Sequence, residues 1–266
     1  MLLNFSGLGS WRWPLVLFTV LVALFLLLPI LFIVALSFGS SKWLLFPPPS
    51  WTLKWYQDLF ADPRWIEAAL TSLKIGLVVT VLSVLLGLLA SFGLVRGRFR
   101  GVETLRALFL TPMILPVVVF AVALYAFSLR LGLNGTFAGF VIAHTILALP
   151  FAIIAITGAL EGFDKSIEDA AILCGASPLE AKLRVTLPAI SHGLFAGAIF
   201  SFLMSWDEVV LAIFMSSPTL QTLPVKIWTT LRQDLTPVIA AASTLLVALT
   251  LVLMILAAFF RKGDAQ

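Results

Sequence analysis

Six stretches of the chain run for about twenty residues or more with scarcely a charge: Pro14–Leu36, Ile75–Val95, Ala107–Ser128, Gly135–Ala159, Ser191–Phe214 and Val238–Phe260. The fifth is apolar only until Asp207 and Glu208. A helix rises about 1.5 Å per residue, so roughly 20 apolar residues cross a hydrocarbon core of about 30 Å. None of the runs alternates polar with apolar positions, and the strands of a membrane barrel would be about half as long. The pattern predicts an all-α integral membrane bundle of six transmembrane helices forming a single domain over residues 1–266. The first run, after Arg12, is longer than the roughly 7–15 apolar residues of a secretory signal, so it reads as an uncleaved helix.

Composition agrees: 61% of residues are hydrophobic and 11% charged, against about 45–50% and 25% in soluble domains. The net charge of +4 would point to nucleic acid in a soluble protein, but here the bases sort by topology. With both termini cytoplasmic, the inner flanks hold Arg12, Arg96, Arg98, Arg100, Arg106, Lys165, Lys182, Arg184, Arg261 and Lys262. The outer side holds Lys42, Lys54, Arg64, Lys74, Arg130, Lys226 and Arg232. Arg96, Arg98 and Arg100 crowd one very short loop, as the positive-inside bias requires, so basicity encodes orientation and no nucleic-acid partner is expected. Trp43, Pro47 to Pro49, Trp51 and Trp55 suit an outer loop lying at the lipid interface.

Several features constrain packing and chemistry. The spacings Gly135-x3-Gly139 and Gly193-x3-Gly197 would let helix backbones approach closely. Pro112 and Pro116 each remove an amide donor, so the third run is expected to kink or unwind. His144, alone inside the fourth run, reads as a hydrogen-bonded packing residue. One cysteine, Cys174, excludes an internal disulfide and a cysteine-built metal site. No phosphate loop, H-E-x-x-H or G-x-S-x-G occurs, so no catalytic residues, metal ligands or cofactor site are expected, and any energy source must be external.

Between the fourth and fifth runs, residues 160–190 are too polar for the bilayer and too long for a simple connection. Ser166 stands three residues before Asp169, and Ser177-Pro178-Leu179-Glu180 is a capping box with proline at the first helical position. Two short helices are predicted, with Gly175 turning the chain between them. Ile167, Ala170, Ala171 and Cys174 then share one face of the first, an apolar stripe suited to a protein groove.

Asp169-Ala170-Ala171-x3-Gly175-x9-Val185-x-Leu187-Pro188 resembles the EAA loop of ATP-binding-cassette importer permeases, E-A-A-x3-G-x9-I-x-L-P, with Asp for Glu at 169 and Val for Ile at 185. The resemblance extends over nearly the whole chain. It implies a type I importer permease fold and a multi-pass protein of the bacterial inner membrane, surrounded by lipid. It also implies three partners: a homologous second permease, an ATPase dimer that binds the ATP and Mg this chain does not, and an extracytoplasmic solute-binding protein. Glu168, Asp169, Ala170, Ala171, Gly175, Ala176, Glu180, Leu187 and Pro188 become the candidate ATPase-coupling residues. Ser205-Trp206-Asp207-Glu208-Val209-Val210, Thr222-Leu223-Pro224-Val225, Ile227-Trp228 and the stretch from His144 to Pro150 resemble the spermidine/putrescine subgroup. Permeases for aminophosphonates, opines, ferric ion or thiamine share much of that pattern, and a self-sufficient secondary transporter is the alternative from another class.

An acid at mid-membrane costs about 2.5–3.5 kcal/mol on insertion scales, so Asp207 and Glu208 need a reason to be there. A polyamine requires anions for its ammonium ends and aromatic faces for its methylenes, which makes Asp207, Glu208, Trp206 and Trp228 the candidate substrate pathway. On a continuous helix, adjacent residues diverge by about 100°, so one acid would face a cavity and the other a neighbouring element. A buried ion pair with Lys74 or Arg232 is the structural alternative.

Overall fold

The computed structural model describes residues 11–262, with side chains described for residues 11–255; the side chains of Arg261 and Lys262, two of the expected inner-flank bases, lie outside the described residues. Along the chain run α1 (Arg12–Ser37), α2 (Lys54–Ala61), α3 (Pro63–Arg96), α4 (Val102–Ile114), α5 (Val117–Arg130) and α6 (Phe137–Glu161). Then follow α7 (Lys165–Leu173), α8 (Pro178–Ala181), a π-turn (Lys182–Thr186), α9 (Leu187–Ala189), α10 (Ser191–Trp206), α11 (Val210–Met215), α12 (Leu223–Gln233) and α13 (Pro237–Lys262). Among the described residues there is no β-strand beyond two isolated bridges. The all-α prediction holds.

Four helices, α1, α3, α6 and α13, are long and apolar enough to span a membrane unbroken. Two of the six predicted helices are interrupted, the third as its prolines predict and the fifth against expectation. In the third run, α4 and α5 meet at 102°, because Leu115 is held extended (φ −71°, ψ 141°) by the proline that follows it; Pro112 sits within α4 without ending it. In the fifth, α10 stops at Trp206 after 16 residues, about 24 Å, and helix resumes only at Val210. The chain thus corrects the expectation of a continuous fifth helix, and the 100° divergence argument for its two acids lapses.

Contacts divide the molecule into two compact units. One comprises the chain up to Asp62 with Thr230–Val247. There Ser37 Oγ lies 2.7 Å from Tyr56 Oη, and Trp55 Nε1 donates to Gly39 O at 2.6 Å, so α2 is pinned against the C-terminal end of α1. Trp43 and Trp51 are left 73% and 68% exposed, as the interfacial reading of this loop anticipates. No residue in the apolar window of α1 is buried.

In the other unit, Pro63–Thr229 with the chain from Ala248, α6 is the central helix, with 67% of its apolar window buried. Thr136 starts it by accepting the Gly139 amide at 3.1 Å, a cap worth about 1 kcal/mol. Packing is by close approach: a Cβ on Gly193 would collide with Ala159, and one on Gly197 would lie 3.3 Å from Ala152 Cα, so α10 presses backbone to backbone on α6. Gly135, by contrast, precedes the Thr136 cap and turns the chain (φ +71°); its expected pairing with Gly139 on one helix does not occur. Phe140, Leu211, Met215, Ile75, Val79 and Val225 form the core at one end of the unit. Ala152, Ile156, Leu160 and Ile190 form another, joined by Leu187 and Phe92.

Candidate functional site

The loop from Asp164 to Ile190 folds much as its sequence predicts. Its first helix is capped by Asp164, whose carboxylate accepts the Ser166 amide at 2.9 Å, so Asp164 takes the capping place expected of Ser166. An aspartate directly before a helical run was the signal for it. Gly175 (φ +100°) closes α7: its amide bonds to Ile172 O at 3.0 Å and that of Ala176 to Ala171 O at 3.1 Å. This is a Schellman turn, which a Cβ at 175 would strain. Ser177 and Glu180 form the predicted capping box, with Glu180 N donating to Ser177 Oγ at 3.3 Å and Ser177 N to Glu180 Oε2 at 3.0 Å. These amide donors hold the Asp164 and Glu180 carboxyls below the usual carboxylate range.

The loop is anchored at the end of the bundle that carries the arginine cluster. Arg96 donates to Phe163 O at 3.2 Å, Arg106 pairs with Glu161 at 3.3 Å, and the Lys182 ammonium lies 5.5 Å from the Phe92 ring centroid. Ile190 is fully buried and Leu187 half-buried against Leu160, while Pro188 is exposed. Of the predicted apolar stripe, Ile167, Ala170 and Cys174 are exposed and Ala171 is half-buried. Leu173, Leu179 and Leu183 extend this uncovered surface at 89%, 65% and 53% exposure. Asp169 is exposed beside Lys165 at 3.8 Å. Glu168 points the other way: only 6% exposed, it accepts from Thr186 Oγ1 at 2.8 Å. Thr186 escaped the sequence reading, since no motif spacing marks it.

At the break in the fifth span the two acids differ. Asp207 is exposed, and its amide still closes α10 on Leu203 O at 3.1 Å. Glu208 is 8% exposed, and its Oε1 accepts the Leu211 amide at 2.7 Å. Glu208 therefore starts α11 by satisfying the amide of the fully buried Leu211, a donor that the break would orphan. No ion pair joins either acid to a base among the described residues, so the salt-bridge alternative is not realised. Both acids line a cavity of about 290 Å³ with Phe151, Phe200, Leu203 and Met204.

Trp206 and Trp228 are absent from that lining. Trp206 is buried, stacked on Phe202 at 5.6 Å between centroids; Trp228 is 42% exposed on α12. The aromatic walls come from Phe151 and Phe200 instead, which sequence spacing could not separate from other lipid-facing residues. His144 is buried with Nδ1 3.0 Å from Ser205 Oγ, the packing role expected of it, tying α6 to the last turn before the break.

A family model described as "Binding-protein-dependent transport system inner membrane component" matches residues 83–263. The spermidine/putrescine transport system permease protein PotC of Haemophilus influenzae is 31% identical over 248 residues, covering 93% of this chain and 96% of that one. The putrescine transport system permease protein PotI of Escherichia coli K12 is 31% identical over 229 residues, covering 84% and 81%. In fold, the chain is similar to a crystal structure of a bacterial alginate ABC transporter in complex with an alginate pentasaccharide-bound periplasmic protein. The TM-score is 0.69 at 14% identity, with 96% of this chain and 95% of that one covered.

Proposed function

The chain belongs to the family of binding-protein-dependent transport system inner membrane components, a multi-pass permease of the ATP-binding-cassette importers, and from that premise we propose that it carries polyamines into the cytoplasm. The observation that carries this reading is the break at residues 207–209, where an unpaired Asp207 carboxylate opens on a cavity with Phe151 and Phe200 in its wall. A flexible chain of methylenes with ammonium ends needs an anion beside apolar and aromatic surface, and here both occur within one cavity. The names of the PotC and PotI relatives point to the same cargo. Fold alone does not choose a substrate, since a related fold serves an alginate transporter.

In this reading the exposed face of Ile167, Ala170, Leu173 and Cys174 seats in one subunit of a cytoplasmic ATPase dimer, which binds ATP and Mg. Asp169, Ala171, Gly175, Ala176, Glu180, Leu187 and Pro188 shape or anchor that face. A homologous permease completes the pathway, and a soluble binding protein delivers substrate on the far side. Both termini then lie on the cytoplasmic side, with the loop and the arginine cluster. Closure of the ATPase dimer would move the loop and rock the bundle between its two access states.

The test is uptake by proteoliposomes containing the whole complex, with labelled spermidine and putrescine and unlabelled competitors of other classes. The reading predicts ATP-dependent polyamine uptake that an aminophosphonate, an opine, ferric ion or thiamine leaves unchanged. Uptake by this chain without the ATPase would make it a secondary transporter; ATP-driven uptake of another solute in place of polyamines would overturn the substrate.

A further inference from the structure

Glu168 sits among the charged residues flanking the exposed face of α7, yet its side chain is turned inward. It is 6% exposed, and Oε2 accepts from Thr186 Oγ1 at 2.8 Å across eighteen residues of chain. Thr186 has no exposed surface. It closes the π-turn Lys182–Thr186, a widened turn whose extra residue changes which side chains face inward and which is found disproportionately at functional sites. Immediately beyond it, Leu187 and Ile190 pack on Leu160 at the end of α6, and just before it Lys182 rests over Phe92 of α3. The segment holding Thr186 is therefore part of the bundle, whereas α7 carries the exposed residues Ile167, Ala170, Leu173 and Cys174.

A push on that face reaches the bundle along the chain at both ends of α7 and through one side-chain bond. The chain runs back to α6 through Gly162, Phe163 and Asp164 and on to α8 through Gly175, around whose Cβ position there is nothing within 4 Å. The side-chain bond is Glu168–Thr186. The chain connections are short turns; the Glu168–Thr186 bond is buried, of ordinary O–H···O length at 2.8 Å, and ties α7 itself to the π-turn. We infer that Glu168 is a positioning residue acting through Thr186, a latch that makes α7 and the π-turn one rigid lever rather than a contact with the ATPase.

The inference rests on the proposed ATP-driven reading, and the wild-type complex in the same vesicles keeps the two apart: no ATP-driven uptake there defeats the functional reading itself. Thr186→Val keeps the shape and removes the donor, and because Thr186 is fully buried it leaves the exposed face untouched. The latch predicts normal ATPase co-purification with solute carried per ATP hydrolysed reduced roughly fivefold, one hydrogen bond's worth. Thr186→Ser and Glu168→Gln, which still donate and accept, should keep the coupling. Glu168→Ala should match Thr186→Val, and the double variant should be no worse than either. Normal coupling in Thr186→Val overturns the latch. So does loss of ATPase attachment in Glu168→Gln, the mark of a charged contact. Should Thr186→Val lower the yield of complex, the Glu168 pair decides alone: Gln coupled and Ala uncoupled supports the latch, both uncoupled defeats it.

Discussion

The chain interrupts its helices at two places of opposite character. Between α6 and α10 the interruption is long and largely exposed, and the segment's own caps close the ends of its first two short helices: Asp164, the Schellman turn at Gly175, and the Ser177–Glu180 box. Apolar side chains are what it leaves uncovered. Between α10 and α11 the interruption is three residues long, a single carboxylate, Glu208, closes the start of the next helix, and what is left uncovered is a charge, Asp207. Outside a membrane, water satisfies polar groups cheaply and an exposed apolar face marks a protein partner. Inside one, apolar surface is unremarkable and an unpaired acid marks a polar passenger. Under the proposed function, the first interruption takes the energy input and the second meets the substrate.

Breaking the first interruption should have the largest effect. Gly175→Val forces a β-branched residue to φ +100°, costing about 1–3 kcal/mol within a small loop. The variant is expected to insert and to pair with the second permease, while ATPase co-purification and uptake are both lost.

Next is Asp207→Asn, which keeps volume and removes charge. Polyamine uptake should fall at least tenfold, the scale of a lost charge-assisted contact of about 1.5–3 kcal/mol, with the complex intact by size-exclusion chromatography. Unchanged polyamine uptake in the variant, or a neutral solute losing as much uptake as the polyamine, would show that the acid does not read substrate charge.

Glu208 sharpens the contrast between the neighbouring acids. Glu208→Ala leaves the buried Leu211 amide unsatisfied and should destabilise the complex by about 1–3 kcal/mol in thermal unfolding. Glu208→Gln still offers an oxygen to that amide and should stay near wild type. A Gln variant as unstable as Ala would show that charge, not capping, is what position 208 supplies.

The smallest effect is a pH response confined to the loop. The Asp164 and Glu180 carboxyls lie below their ordinary range because amides donate to them. A depressed folded pKa adds stability that is present at neutral pH and lost as pH falls through the depressed value. A fluorophore on Cys174, which is exposed, should therefore report an unchanged loop from pH 7 through the ordinary carboxylate range, and loosening only below it. Ser177→Ala should move that loosening to higher pH.

How much of this was legible beforehand follows the same division. In the loop, local chemistry dictates structure: Ser-Pro-x-Glu and a glycine at the right offset are read residue by residue, and both short helices sit where expected. At the break, hydropathy misled, because Val209 to Phe214 is as apolar as a continuing helix and only the adjacent acids hinted at a stop. Which acid would cap and which would stand free depends on the packing of Leu211 and Met215 against Phe140, which no local pattern encodes. The same holds for Trp206, whose stacking on Phe202 removes it from the cavity, and for Thr186, whose importance rests on a partner eighteen residues away.

The most direct measurement records polyamine uptake and binding-protein-stimulated ATP hydrolysis together, in vesicles carrying the complete complex, for wild type, Asp207→Asn and Gly175→Val. The division of labour predicts that Asp207→Asn loses uptake while hydrolysis continues, and that Gly175→Val loses both. Hydrolysis lost with Asp207→Asn, or full uptake retained in either variant, would contradict it.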